Sequence, residues 1–322
     1  MKKKVVVLGG GTGISFLLRG LKDFPIDITA IITVSDNGRS TGKLRQEFHI
    51  PAVGDIRKVI TNLSGIDEPI KEMMSYRFKT SSDLDGHAVG NLILTAMLDI
   101  TGSLKESIAH LSKLLDVKHT VLPISEDRDL TLMGEDVKGN IIEGEEEITQ
   151  NPNKIKRIFY KDEPVVLPEV INSIKEADLI ILSMGSLYTS VLPNVICKAV
   201  QDTISKIDTP IMYLCNLFTQ PGETDSFSVG DHIKMLNSYL GNRKVDVVVA
   251  NNEKIDPKMA KKYETEEQKD PVLIDYEKIK EMDIELIDDD LIVVEDNRLR
   301  HNSLKVSSMI FSYLMRDRKS VV

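Results

Sequence analysis

Gly9, Gly10 and Gly11, then Thr12 and Gly13, stand between a β-branched run and a segment with helical apolar spacing. Glycines let phosphate oxygens approach main-chain N–H groups, and a helix starting at such a turn adds the positive end of its dipole. The chemistry suggested is phosphate cradling. The dinucleotide fingerprint asks for glycines at the first, third and sixth positions, but the sixth place is Ile14 counted from Gly9 and Phe16 counted from Gly11. No lysine stands where a Walker loop needs one, which argues against an ordinary ATPase. A plain strand-to-helix connection would use glycines here too.

Further candidates follow along the chain. Asp36 lies where a dinucleotide fold places an acid for ribose hydroxyls, although Asp36-Asn37-Gly38 is also good turn chemistry. Arg39, Lys43, Arg45 and nearby Arg57 offer phosphate-matching cations around Ser40. His87, with Asn91 four residues on, opens a helix. Gly185, Ser186, Tyr188, Thr189 and Ser190 offer hydroxyls for a sugar or base, and Asn216, Thr219 and Gln220 follow another strand. Arg300 and His301, late in the chain, can reach back over the crevice. No serine sits in a strained elbow with His and an acid in order, and no Cys/His cluster has zinc spacing. Glu145-Glu146-Glu147 reads as a solvated strand rim, because three adjacent acids do not share a strand face. Cys197 and Cys215 read as core residues.

These residues need a frame. Residues 4–8, 27–34, 177–182, 210–217 and 245–250 read as buried strands, and each runs into polar or glycine-bearing sequence at its carboxyl end. About 55–115 reads as a helical insertion, and about 118–166, with short strands at 119–124, 130–134, 141–148 and 156–160, as a small antiparallel satellite. Residues 252–270 read as an exposed helix or mobile loop, 272–276, 284–287 and 291–295 as closing strands, and 306–314 as an amphipathic helix. The expected fold is α/β, a Rossmann-like, mostly parallel sheet, with residues 1–322 forming a single domain.

Composition narrows the function. At 322 residues and 41% hydrophobic content the chain can bury a large core. A net charge of −9 argues against a nucleic-acid partner, yet residues 1–60 carry ten Lys or Arg against five Asp or Glu, +5, which leaves −14 for the remainder. A basic region in an acidic chain suits a small anionic ligand. No run approaches the roughly 18 apolar residues of a membrane helix, and the segment after Lys2-Lys3-Lys4 is too short for a signal peptide's apolar core, so a cytoplasmic location without membrane insertion is expected.

Together the motifs 9–13, 35–45, 54–57, 86–91, 185–190, Asn216, 219–224 and 300–302 resemble the gluconeogenesis factor family, relatives of the 2-phospho-L-lactate transferases (CofD) of deazaflavin cofactor synthesis. The resemblance covers nearly the whole chain. It implies a Rossmann-like, CofD-like domain binding a UDP-sugar such as UDP-N-acetylglucosamine, linked in bacteria to cell shape and growth on gluconeogenic carbon sources, without an established reaction. By this resemblance Gly10 to Gly13 face the diphosphate, Asp36 matches the acidic loop position, Asn216 and Thr219 line the nucleotide side, and Arg300 matches the arginine needed for the nucleotide sugar. Where relatives commonly show Asp-Asp-Gly-Gly-Ser, this chain has Asp36-Asn37-Gly38-Arg39-Ser40, which lacks the second carboxylate of a Mg²⁺ site. The reading requires no cofactor or metal. Mg²⁺ enters only under the alternative, a transferase moving a phosphate-bearing group from a nucleotide donor. Cell-wall or metabolic partner proteins are implied but not named by the sequence, a homodimer is left open, and Ser303 is a candidate phosphorylation site whose added charge would oppose anion binding.

Overall fold

Val5 to Leu8 are buried on both faces of β1 (Lys3–Gly9), as expected of a strand covered by helices on each side. The computed structural model describes residues 2–295 and 298–316. After β1 the chain turns at Gly11, whose φ of +64° favours glycine, into α1 (Gly11–Leu21), which buries Ile14, Leu17, Leu18 and Leu21. β2 (Ile26–Ile32) then pairs parallel with β1.

The crossover from β2 to the next strand holds α2 (Arg39–Phe48), α3 (Gly54–Leu63), α4 (Glu68–Ser75), α5 (Val89–Thr101) and α6 (Leu104–Leu114), the helical insertion expected from periodicity. It ends in β3 (Thr120–Pro123), which pairs parallel with β2 at the edge of the main sheet. The stretch expected to open the antiparallel satellite thus belongs to the principal sheet. Four residues carry too little alternation to show which sheet they join. The satellite is smaller: β4 (Leu132–Asp136), β5 (Ile141–Glu143) and β6 (Ile155–Tyr160), ordered β5-β4-β6, with a short helix α7 (Glu145–Thr149) after β5. Glu145, Glu146 and Glu147 are therefore a helical turn and not a strand rim; Gly144 precedes them at φ +109° and breaks the strand.

The second half continues through α8 (Pro168–Glu176), β7 (Leu179–Leu182), a wide π-type turn at Leu187–Val191, α9 (Leu192–Val195), α10 (Lys198–Ile204), β8 (Ile211–Leu214), α11 (Val229–Tyr239), β9 (Val247–Asn251), α12 (Pro257–Glu267), α13 (Tyr276–Glu281), β10 (Glu285–Asp289), a ribbon of β11 (Ile292–Glu295) and β12 (Arg298–His301), and α14 (Ser303–Met315). Residues 272–276 form no strand. Val272 N–H donates to the Leu217 carbonyl, and Asp275 accepts from Gly230 N–H and Ser228 Oγ at the start of α11, so the segment is a strap. Residues 252–270 hold α12, docked by Tyr263, whose ring stacks on Phe218 at 4.3 Å and 16°. Ser303 is half-buried at the start of α14, its carbonyl lying against Gly20 of α1.

The seven-stranded main sheet runs β10-β9-β8-β7-β1-β2-β3 with every neighbouring pair parallel. The order reverses between β1 and β7, and a doubly wound sheet opens its ligand crevice outside the carboxyl ends of the strands at that reversal.

Candidate functional site

A cleft of about 480 Å³ lies at that reversal, within the range of small-molecule sites. β1 delivers Gly10, Thr12 and Gly13 to it, β7 delivers Gly185 and Ser186, β8 delivers Asn216, Thr219 and Gln220, and β12 brings Arg300 and His301. The glycine floor is fixed by close packing: a Cβ on Gly13 would lie 2.6 Å from the Met184 carbonyl oxygen and 2.7 Å from the Gly185 nitrogen, so the first turn of α1 and the loop after β7 touch backbone to backbone.

Gly9 and Gly11 have other duties. Gly9 ends β1 beneath Ser183, where a side chain would collide. Gly11 N–H donates to Asp55 Oδ2, so a carboxylate already occupies one donor at the start of α1, and Lys58 Nζ pairs with Asp55 Oδ1 at 2.9 Å. Tyr188 is fully buried and lies outside the cleft lining, because the π-type turn carries it into the core. Ser186 Oγ donates to Glu223 Oε2 at 2.5 Å and accepts from Thr189 Oγ1 at 2.7 Å, while burial raises the Glu223 carboxyl to about 6.

The end of the cleft lined by Asn216 and Gln220 is short of donors. Asn216 Nδ2 is committed to the Gly185 carbonyl at 3.0 Å, while Asn216 Oδ1 and Gln220 Oε1 are buried with no hydrogen-bond partner among the described residues. Buried acceptors of this kind need a partner, and a ligand N–H or O–H would supply it. His301 Nε2 bonds the Cys215 carbonyl at 3.0 Å, and burial holds its pKa down at about 4, so the ring is neutral. Arg300 has no ion pair among the described residues; its guanidinium stands 5.3 Å from the Phe16 ring centroid, beside Arg19, which is 4.2 Å from the same ring and is tied to Glu295.

Asp36, Arg39, Ser40 and Asn91 lie in an adjoining pocket of about 390 Å³, divided from the cleft by Glu145 and Thr149, which line both. His87 is buried behind Ser40, its Nδ1 3.1 Å from Ser40 Oγ. Burial, then the charges of Asp36 and Asp55, raise Glu145 to about 8, so it is mostly protonated at neutral pH; burial and Asp55 likewise raise Asp36. Asp36 Oδ1 accepts from Gly38 N–H at 2.9 Å, and both Asp55 oxygens are engaged, by Gly11 N–H and by Lys58. Among the described residues no three His, Cys, Asp or Glu side chains converge to hold a metal ion.

Several lining residues escaped sequence reasoning, among them Phe16, Glu145, Phe218, Tyr263 and Arg298. Glu145 arrives from the satellite. It is placed by Asn37, whose Oδ1 accepts from Glu146 N–H and whose Nδ2 donates to Glu147 Oε2, each at 2.8 Å. A contact spanning 109 residues has no local signal.

The profile of the family described as 2-phospho-L-lactate transferase CofD matches residues 5–292. A gluconeogenesis factor of Bacillus subtilis is 42% identical over 314 residues, 97% of this chain and 98% of the relative, and a putative gluconeogenesis factor of Thermotoga maritima is 40% identical, covering 95% and 98%. A crystal structure of a Bacillus halodurans protein, described as a member of the UPF0052 family, superposes with a TM-score of 0.92 at 41% identity, covering 96% of this chain and 99% of that one. No helix among the described residues is long and apolar enough to cross a membrane. The chain belongs to the CofD family, alongside the bacterial gluconeogenesis factors.

Proposed function

We propose that this chain is a cytoplasmic regulatory protein that binds a UDP-sugar, UDP-N-acetylglucosamine in the first instance, and couples nucleotide-sugar supply to cell shape and to growth on gluconeogenic carbon sources. The observation that carries the reading is a glycine-floored cleft at the sheet's reversal, lined both by Arg300, which makes no ion pair among the described residues, and by buried oxygens of Asn216 and Gln220 that have no hydrogen-bond partner among them. A diphosphate matches the glycine floor and the guanidinium, and a nucleobase or sugar supplies N–H and O–H donors to the oxygens. The names of the relatives support the link to gluconeogenic growth. Calorimetry with UDP-N-acetylglucosamine is expected to show saturable binding that Arg300→Ala weakens tenfold or more; no heat with any UDP-sugar overturns the reading.

The CofD family match favours one second reading, a transferase moving a phosphate-bearing group from a nucleotide donor. An Asp36-dependent product by mass spectrometry, from a nucleotide donor and a deazaflavin acceptor, would put it first.

A further inference from the structure

α12 is tied down at its two ends and lightly in between. Before it, Asn252 N–H donates to the Asp289 carbonyl at 3.0 Å; after it, Thr219 N–H donates to the Asp270 carbonyl at 2.8 Å. The helix ends at Gln268, whose φ of +54° is a left-handed conformation that strains any residue but glycine. Along the helix Tyr263 is the side chain that is buried, while Lys258, Lys261, Glu264 and Glu266 are exposed. A helix anchored at both ends and docked by one ring is a flap that opens at low cost.

Tyr263 joins this flap to the cleft in two ways. Its ring stacks on Phe218, and its hydroxyl accepts from Leu299 N–H at 2.8 Å. Leu299 directly precedes Arg300 in β12, and β11 and β12 stand apart from the main sheet as their own two-stranded ribbon. The ribbon therefore takes its position from contacts outside itself. His301 Nε2 on the Cys215 carbonyl fixes β12 just beyond Arg300, and the Tyr263 hydroxyl fixes it just before. The Arg19–Glu295 pair also reaches the ribbon, but both side chains are largely exposed, and such pairs add little. The Phe16 ring then gives the Arg300 guanidinium a face to rest on.

We infer that Tyr263 is a positioning residue for Arg300: α12 is a flap whose docking, through the Tyr263 ring and hydroxyl, sets β12 so that Arg300 meets an anionic ligand, and a bound ligand holds the flap shut. The inference rests on the cleft's taking a phosphate-bearing ligand. Tyr263, Glu267 and Lys269 from the flap and Arg298 and Arg300 from the ribbon line the same cleft, so a ligand that binds the docked arrangement better shifts the flap toward it.

Three measurements on the full chain test this. Hydrogen–deuterium exchange at the Leu299 amide, without ligand, is expected to quicken about threefold or more in Tyr263→Phe, which keeps the ring and removes the hydroxyl; unchanged exchange overturns the inference. In calorimetry with UDP-N-acetylglucosamine, Tyr263→Phe is expected to weaken binding about threefold or more, and that loss is expected to vanish in the Arg300→Ala background. Equal losses in the two backgrounds would mean that Tyr263 acts on the ligand or on the fold at large, and would overturn its role through Arg300. Trypsin cleavage after Lys258 and Lys261 is expected to quicken in Tyr263→Ala and to slow in the parent chain with UDP-N-acetylglucosamine bound; cleavage that the bound ligand leaves unchanged overturns the flap. Absence of heat in the parent chain counts against the cleft reading alone, and the exchange measurement then decides whether Tyr263 holds β12.

Discussion

Replacing Glu145 by Gln tests the electrostatics on which both pockets depend. Glu145 has a pKa of about 8 in the folded chain against an ordinary 4.5, so between these values the folded state holds a proton that the unfolded state has released. Stability then falls as pH rises, by about 1.36 kcal/mol per pH unit. Below pH 6.5 the slope is mixed, because His301, depressed to about 4, contributes stability that is lost as pH falls, whereas Glu223, raised to about 6, acts in the opposite sense. From pH 6.5 to 8 these two groups are quiet. Over that window Glu145→Gln is expected to gain about 2 kcal/mol on the parent chain, since the amide keeps the shape and has no proton to lose. Urea unfolding followed by circular dichroism at half-unit pH steps measures the difference, in which groups common to both chains cancel. A difference that stays flat from pH 6.5 to 8 would mean a solvated, ionised Glu145 and would refute the account. The same proton bears on binding: UDP-sugar affinity is expected to weaken above pH 8 in the parent, as a carboxylate appears beside the diphosphate, and to stay level in Glu145→Gln.

Two further substitutions probe how the site is built. Gly13→Ala drives a methyl group against the Met184 carbonyl and the Gly185 nitrogen, and with backbone on both sides it is expected to cost roughly 2–3 kcal/mol by urea unfolding; a loss below about 0.5 kcal/mol would show that the first turn of α1 and the loop after β7 are not locked together. Asn37→Asp sets a carboxylate against Glu147 and removes the amide donor that holds α7, so a loss of about 1–2 kcal/mol at pH 7 is expected, together with weaker UDP-sugar binding by calorimetry. An unchanged affinity would dissociate α7 from the cleft.

Much of the sheet was legible because its strands are continuous apolar runs bounded by glycine and polar loops. Val5 to Leu8, Leu179 to Leu182 and Val247 to Ala250 are buried throughout, and a strand covered on both faces needs no alternation to be recognised. The helical insertion was legible from its 3.6-residue spacing. Short elements were not. Thr120–Pro123 is four residues long and Glu145–Thr149 five, too short for either period to register, and both are placed by partners far away in sequence. The glycine floor was readable to within a residue, but not the division of labour inside it, because Gly11 and Gly13 differ only in what faces them: Asp55 in one case, the Met184–Gly185 peptide in the other.

The loop from 35 to 42 shows how one sequence departure can serve a different end. With Asp in place of Asn37 the loop would carry two carboxylates, as a cation site asks; with Asn37 it carries one, and the amide instead grips α7 through Glu146 and Glu147. That grip brings Glu145 into the wall between the two pockets, where burial and its acidic neighbours keep it protonated at neutral pH. Two residues on, Arg39 stands where φ +46° favours glycine and adds a cation to the outer pocket. The two changes act in one direction. Each lowers negative charge around the crevice, by removing a carboxylate, by neutralising another and by adding a guanidinium.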